Sequence, residues 1–231
     1  MLKKVSFTIL AIFLLIFIGV WSPWRSINIS PLEFFGLRQS IDYAGLQVYS
    51  LSGEIEVEID GELAGNVTVD GSPLDIVEID PGEHLVTIKR TPTDMSNDPI
   101  YFQLNRVIKF EKGINTVVAY ELGPTEDFSE GYIITTSKAA SSSGSSLNIT
   151  TIPAGSKVFI NSLDEGTGPI TNYTIDLSQD YSIKIAKDNF ESIEFNLLPE
   201  DDIQRELLKN YDINVEVNLF QIPIEIVEVN E

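Results

Sequence analysis

The sequence predicts an all-β chain, with two tandem small β-sandwich domains following one N-terminal transmembrane helix. Three observations predict it. After residue 25 no stretch carries the three-to-four-residue apolar spacing of a long amphipathic helix. Short alternating or β-branched segments recur instead, separated by Gly, Pro, Asn and Asp clusters. One uncharged run, from Val5 to Pro23, stands apart, with no charge between Lys4 and Arg25. The expected organisation is a cytoplasmic tip (1–4), a membrane-spanning signal anchor (5–23) and a juxtamembrane spacer (24–41). A first β domain (42–136), a Ser-rich linker (137–146), a second β domain (147–222) and an acidic C-terminal tail (223–231) follow.

The apolar run holds Ile9, Leu10, Ile12, Phe13, Leu14, Leu15, Ile16, Phe17, Ile18 and Val20. As a helix it is about long enough to cross a hydrocarbon core of ~30 Å. Lys3 and Lys4 keep their end cytoplasmic, and Trp21 and Trp24 suit the far headgroup level. A cleaved secretory signal is the competing reading. No Ala-x-Ala pattern is present, a cut after Ser22 meets Pro23, and a cut after Gly19 places Phe17 wrongly, so an uncleaved anchor is expected. The C-terminal stretch carries no wall-sorting signal, so attachment is expected to depend on the N-terminal run. With no cysteine in the chain, a lipidated cysteine, disulfides and thiolate metal sites are excluded.

Charge excludes one class of partner. Of 15 basic residues, Lys3, Lys4 and Arg25 belong to the anchor region, so the rest of the chain sets 12 against all 35 acidic residues, a net −23. Such a surface repels nucleic acid and anionic headgroups. It could attract divalent cations or basic partners, but a solvated acidic exterior is the expected explanation.

The strands follow from pattern. Glu54-Ile-Glu-Val-Glu-Ile-Asp60 alternates strictly, placing Ile55, Val57 and Ile59 on one face and the acids in water. Strands are expected also at 66–69, 84–89, 101–110 and 115–120. A second group is expected at 147–152, 157–160, 173–177, 181–186, 192–197 and 212–219. The segment 201–209 reads as a short helix. Between the groups, Ser137-Lys-Ala-Ala-Ser-Ser-Ser-Gly-Ser-Ser146 has no apolar side chain larger than Ala and reads as a flexible linker.

The two groups read as divergent copies of one unit. Each has a strand ending at Asp or Asn, a tight turn leading to a glycine, and a second turn starting a hydrophobic strand. Asp60-Gly61 supplies the positive-φ residues of a two-residue hairpin. Pro81-Gly82 fits a type II turn, with Asp180 in the corresponding place of the second copy. The series Pro153-Ala-Gly-Ser156, Val158-Phe-Ile-Asn161 and Gly166-Thr-Gly-Pro169 resembles the PEGA domain family. In the first copy Asp60-Gly61 with Gly65, and Pro81-Gly-Glu-His84, resemble it too. The first copy departs from the family's pattern at Ser52-Gly53-Glu54-Ile55 and lacks its Thr-Pro within 66–78. The second lacks the Pro-Gly pair at Gln179-Asp180. The resemblance spans most of 46–120 and 148–197. It implies extracytoplasmic β modules, often on surface-layer, cell-wall or membrane-anchored proteins, with no catalytic residues to carry over.

No convergent set of reactive groups is legible. His84 is the one histidine, placed in a strand entry where it reads as a half-exposed packing residue. No Gly-x-Ser-x-Gly elbow, Walker loop or His-Glu-x-x-His pair occurs, and no catalytic, cofactor or metal site is expected. The acids Glu58/Asp60/Glu62, Asp75/Glu78/Asp80 and Glu200/Asp201/Asp202 could offer oxygens to a structural Ca²⁺, but none has EF-hand spacing. Asn-x-Ser/Thr sequons stand at Asn28, Asn66, Asn148 and Asn172. The aromatics Tyr43, Tyr49, Tyr101, Phe102, Phe110, Tyr120, Tyr173, Tyr181, Phe190 and Phe195 are expected mostly in cores. The expectation is thus a single-pass membrane protein with its C-terminal domains outside the cytoplasm. It would present β modules to cell-envelope proteins, in surface-layer or wall association, without an enzymatic reaction or small-molecule substrate. A module binding wall or surface polysaccharide is the alternative.

Overall fold

The computed structural model describes residues 42–68, 72–91, 101–139 and 145–223. The expected anchor at 5–23, with the tip and spacer beside it, lies outside the described residues, as does most of the expected tail. Among the described residues no helix is long and apolar enough to cross a membrane.

The described chain is predominantly β. In order come β1 (Ala44–Ser50), β2 (Ile55–Ile59), β3 (Glu62–Val67), β4 (Leu74–Ile79), β5 (Gly82–Arg90), β6 (Leu104–Phe110) and β7 (Asn115–Glu121). A 3₁₀ turn, Glu126–Phe128, leads into β8 (Glu130–Lys138). There follow β9 (Ser146–Ile152), β10 (Lys157–Ile160), β11 (Leu163–Thr167), β12 (Ile170–Thr174), β13 (Ser182–Ala186), β14 (Ile193–Asn196), α1 (Asp202–Leu208) and β15 (Tyr211–Asn218).

These strands form three sheets. One has seven strands in the order β12-β9-β15-β8-β7-β1-β4, and two have four, β3-β2-β5-β6 and β11-β10-β13-β14. The connectivity on either side of β8 is the same. β1 pairs with β4 antiparallel and with β7 parallel, as β9 pairs with β12 and β15. Both β7 and β15 run antiparallel to β8. Strand direction is kept and strand order mirrored, so an approximate two-fold axis runs along β8. A rotation about a strand exchanges the two faces of a sheet, and the cores obey this. Ile133 belongs to the cluster with Leu46, Val48, Ile88 and Phe110, and the next residue, Ile134, to the cluster with Ile149, Ile183, Ile185 and Val215. Successive strand residues point to opposite faces. Each four-stranded sheet therefore packs on its own face of the seven-stranded sheet.

The cross-strand rows record this switch. One runs Asp75, Gln47, Val117, Ile134, Val215, Ile149, Ile170, polar over β4 and β1 and apolar over β15 and β9. The row on the other face runs Leu74, Val48, Val118, Ile133, Glu216, Thr150, apolar where the first is polar. β8, at the centre, is apolar on both faces, as is β7 beside it, with Val117 on one face and Val118 on the other.

The expectation of two domains on a flexible linker is corrected here. The described residues from Asp42 on form one compact unit. The ends of the expected linker are strand: β8 runs to Lys138, β9 starts at Ser146, and both flank β15. Both serine hydroxyls have partners: Asn214 Nδ2 of β15 donates to Ser137 Oγ at 3.0 Å, and Ser145 Oγ donates to the Leu208 carbonyl of α1 at 2.8 Å. The strands expected at 66–69 and 173–177 sit earlier, as β3 and β12. β1, β4, β8 and β11 were not expected. Asp60 (φ 53°) and Gly61 (φ 82°) take the positive-φ pair of the hairpin turn. Gly82 opens β5 at φ 148°, more extended than the ~80° of a type II turn. Asp180 is not among the positive-φ residues. The turn before it closes on Asp176, whose carboxylate accepts from Ser178 N at 3.0 Å.

Candidate functional site

Each four-stranded sheet covers only half of the face it packs on, because its seven-stranded partner is nearly twice as wide. The uncovered half of each face is a groove, floored by the shared sheet and walled by an edge strand of a small sheet. The groove beside β6 is small, about 230 Å³, with Ile133, Thr135, Asn148, Thr150, Asn214 and Glu216 along the floor. Arg106 crosses it, donating to Glu216 Oε1 from Nη2 at 3.0 Å and reaching Glu126 at 3.4 Å.

The groove beside β14 is larger, about 950 Å³. Its floor is Gln47 and Tyr49 from β1, Asn115 and Val117 from β7, and Tyr132 from β8. Its wall is β14 and the segment entering α1, with Glu194, Asn196, Pro199, Glu200, Asp201 and Gln204. α1 begins at an Asp201 cap, whose side chain accepts from Ile203 N at 2.8 Å. The helix end is fixed across to the other half of the unit: Gln204 accepts from Asn115 N at 3.1 Å and donates to the Gly113 carbonyl at 3.1 Å. Buried Leu208 anchors the helix in the core below.

Tyr132 stacks on Phe195 with centroids 4.0 Å apart, so one of its faces is already used. Burial, then the neighbouring Tyr49, pushes the Tyr132 phenol up to about 12. Burial also raises Tyr49, followed by the charges of Asp75 and Glu200. Tyr49 donates to Gln47 Oε1 at 3.0 Å, and Gln47 Nε2 donates to Asp75 Oδ1 at 2.8 Å. The lining holds Asp180, Glu194, Glu200 and Asp201 against a single base, Arg205. That guanidinium is engaged by Asp180 at 2.5 Å and by the Pro199 carbonyl at 2.6 Å. The groove is therefore acidic.

The residues singled out in the sequence lie elsewhere for the most part. His84 Nδ1 stands 2.6 Å from Asp60 Oδ2, and Nε2 is 2.9 Å from the Asp80 carbonyl. Both ring nitrogens face acceptors, which the imidazolium form satisfies. The Asp60 hydrogen bond raises His84, burial opposing it, and lowers Asp60. The histidine ties two turns together beside Phe110. Glu58 pairs with Lys89 at 2.5 Å, Asp75 with Gln47, and Asp201 caps α1. Among the described residues no three His, Asp or Glu side chains converge to hold a metal ion. Asn66 and Asn172 are exposed, Asn148 donates to Asn214 Oδ1 at 3.0 Å, and Asn28 lies outside the described residues. Of the aromatics, Phe110, Tyr120, Tyr181 and Phe195 are buried, while Tyr43 is exposed. The groove itself went unread in the sequence. Its residues come from six separated segments, and the sequence singles out among them only Tyr49, Asp180, Glu200, Asp201 and the core aromatics.

The loop joining β9 to β10 completes the local geometry. Ser156 is fully buried and donates to the Pro153 carbonyl at 2.7 Å. Its own carbonyl accepts from Gly168 N at 2.8 Å, and Gly155 N donates to the Gly168 carbonyl at 3.3 Å. The Pro-Ala-Gly-Ser and Gly-Thr-Gly-Pro segments thus hold each other by backbone hydrogen bonds. Residues 144–219 match the family model of the PEGA domain. The chain is a PEGA domain-containing protein. Its PEGA domain takes in β9 to β15, both signature loops, β14 and α1. Neither the curated proteins nor the solved structures contain a match to the chain.

Proposed function

We propose that this is a single-pass envelope protein, anchored by residues 5–23, which presents two fused PEGA-type β-sandwich units outside the cytoplasm for interaction with other envelope proteins. The observation that carries the reading is the fusion of both halves through β8. It makes one compact unit with open sheet edges and an acidic groove, a form suited to docking. The first half is read as a diverged PEGA copy. Asp60 and Asn161 both end a strand at positive φ, and each side-chain oxygen accepts a backbone N–H at 2.9 Å, from Leu85 and Ser182 respectively. At the far end of the same two strands Arg90 donates to the Ser52 carbonyl at 2.9 Å and Lys187 to the Ala154 carbonyl at 2.6 Å. The extracytoplasmic placement rests on Lys3 and Lys4 ahead of the apolar run.

Fractionation with protease protection tests the placement. The full chain should require detergent for extraction and be digested by protease added to intact cells. Recovery in the soluble cytoplasmic fraction would sink the reading. A second reading, binding of wall or surface polysaccharide, draws on Tyr49 with the amides of Gln47, Asn115, Asn196 and Gln204 around one groove. Cosedimentation with isolated envelope polysaccharide, without capture of envelope proteins, would favour it.

A further inference from the structure

The chemistry of the larger groove points to what it takes, on the premise that the protein docks envelope partners. β14 is an edge strand, paired with β13 on one side only. Leu197 N donates to the Tyr181 carbonyl at 2.9 Å, one step beyond the Ser182–Asn196 pair. In an antiparallel ladder hydrogen-bonded and non-bonded pairs alternate. Phe195 and Ile193 therefore bond to β13, and Glu194 and Asn196 turn their N–H and C=O groups to the open edge. Both residues are exposed. An open edge is a template for a further strand. A strand added there would lie over Gln47, Tyr49 and Val117, which are only half-buried, in place of the small sheet that covers the matching half of the other face.

Charge selects the occupant. Glu194, Glu200 and Asp201 line the groove, Asp75 borders its floor through Gln47, and Asp180 and Arg205 neutralise each other as an ion pair. The smaller groove illustrates the pairing this favours, since there Arg106 of edge strand β6 bridges to Glu216 on the floor. We propose that the groove beside β14 is a β-addition site for an extended segment of a partner protein, with lysine or arginine at alternate positions. Backbone pairing to Glu194 and Asn196 supplies affinity, and the alternate basic side chains reach the carboxylates.

The test uses the full chain in lipid nanodiscs and two labelled heptapeptides, Lys-Thr-Lys-Val-Lys-Thr-Lys and its counterpart with Glu for Lys. The lysine peptide should bind, weaken as salt rises past the ~8 Å screening regime of 0.15 M, and protect the amides of Glu194 and Asn196 from hydrogen exchange. The glutamate peptide should not bind. Asn196→Pro removes an N–H that the β13 ladder does not use, which an edge position tolerates, and should weaken binding at least tenfold. Glu200→Lys, an exposed change that caps nothing, should do the same and keeps the test valid if the proline variant misfolds. Equal binding by wild type and both variants would overturn the assignment, as would unprotected edge amides. Self-association of the chain through β14, lost in Asn196→Pro, would overturn it too, as would occupancy by polysaccharide fragments. Capture of envelope proteins that neither variant disturbs would reject this groove while leaving the display role standing.

Discussion

β8 is the strand whose perturbation is most informative, because Ile133 and Ile134 enter opposite cores. Ile133 is 4 % exposed and Ile134 8 %, so truncation of either to alanine deletes three nearly buried carbons. At ~0.8 kcal/mol per methylene the transfer loss is about 2.4 kcal/mol. The unfilled cavity raises that to about 3 kcal/mol, within the 2–5 kcal/mol range for such changes. For a unit of this size each kcal/mol moves Tm by roughly 2–4 °C, so each variant should melt roughly 6–12 °C lower. Because β7 and β15 both pair with β8, the loss should be shared. Calorimetry should give one transition for Ile133→Ala and for Ile134→Ala. Native-state hydrogen exchange should report the same fall in protection at Val48, in one core, and at Ile149, in the other. Two separated transitions, with Ile133→Ala weakening only 44–121 and Ile134→Ala only 146–218, would refute the single cooperative unit.

Other outcomes follow from local geometry. The His84–Asp60 pair adds stability over a pH window. His84 is raised above 6.5, so its share is full below 6.5 and is lost as pH rises through the higher folded value. Asp60 is lowered below 3.8, so its share is present above 3.8 and is lost as pH falls through the folded value. NMR titration of the His84 ring should give a midpoint above 6.5, and Asp60→Asn should return it toward 6.5 while the Leu85 N–H bond is kept; an unchanged midpoint would contradict the pairing. Gln204→Ala removes two hydrogen bonds to residues 113 and 115, at about 1 kcal/mol each. Faster exchange of the Asn115 amide should reveal it. Gly131→Ala would place a Cβ 2.2 Å from the Ala119 carbonyl and 2.5 Å from the Tyr120 ring. It should cost at least the ~1–3 kcal/mol of an overpacked core, read as a lower urea midpoint.

What the sequence alone determined was the local grammar. β2 and β13 were legible because one face of each is in the core and the other faces water, which writes a period of two into the residues. The Asp60-Gly61 turn was legible because only a few residues tolerate two successive positive φ values. The signature loops of the PEGA domain were legible because their glycines and prolines recur in order. What only the tertiary structure decided was how the two halves join and where a groove remains. β8 carries Tyr132-Ile-Ile-Thr-Thr136 without alternation, since it is apolar toward both faces. Its last two residues, Ser137 and Lys138, read as linker because a strand needs no large apolar side chain where its neighbour satisfies its backbone and hydroxyl. Gln47 and Val117 sit at the same pattern positions whether covered or open. Periodicity records the face a residue occupies, and the element that covers that face, or leaves it bare, comes from elsewhere in the chain.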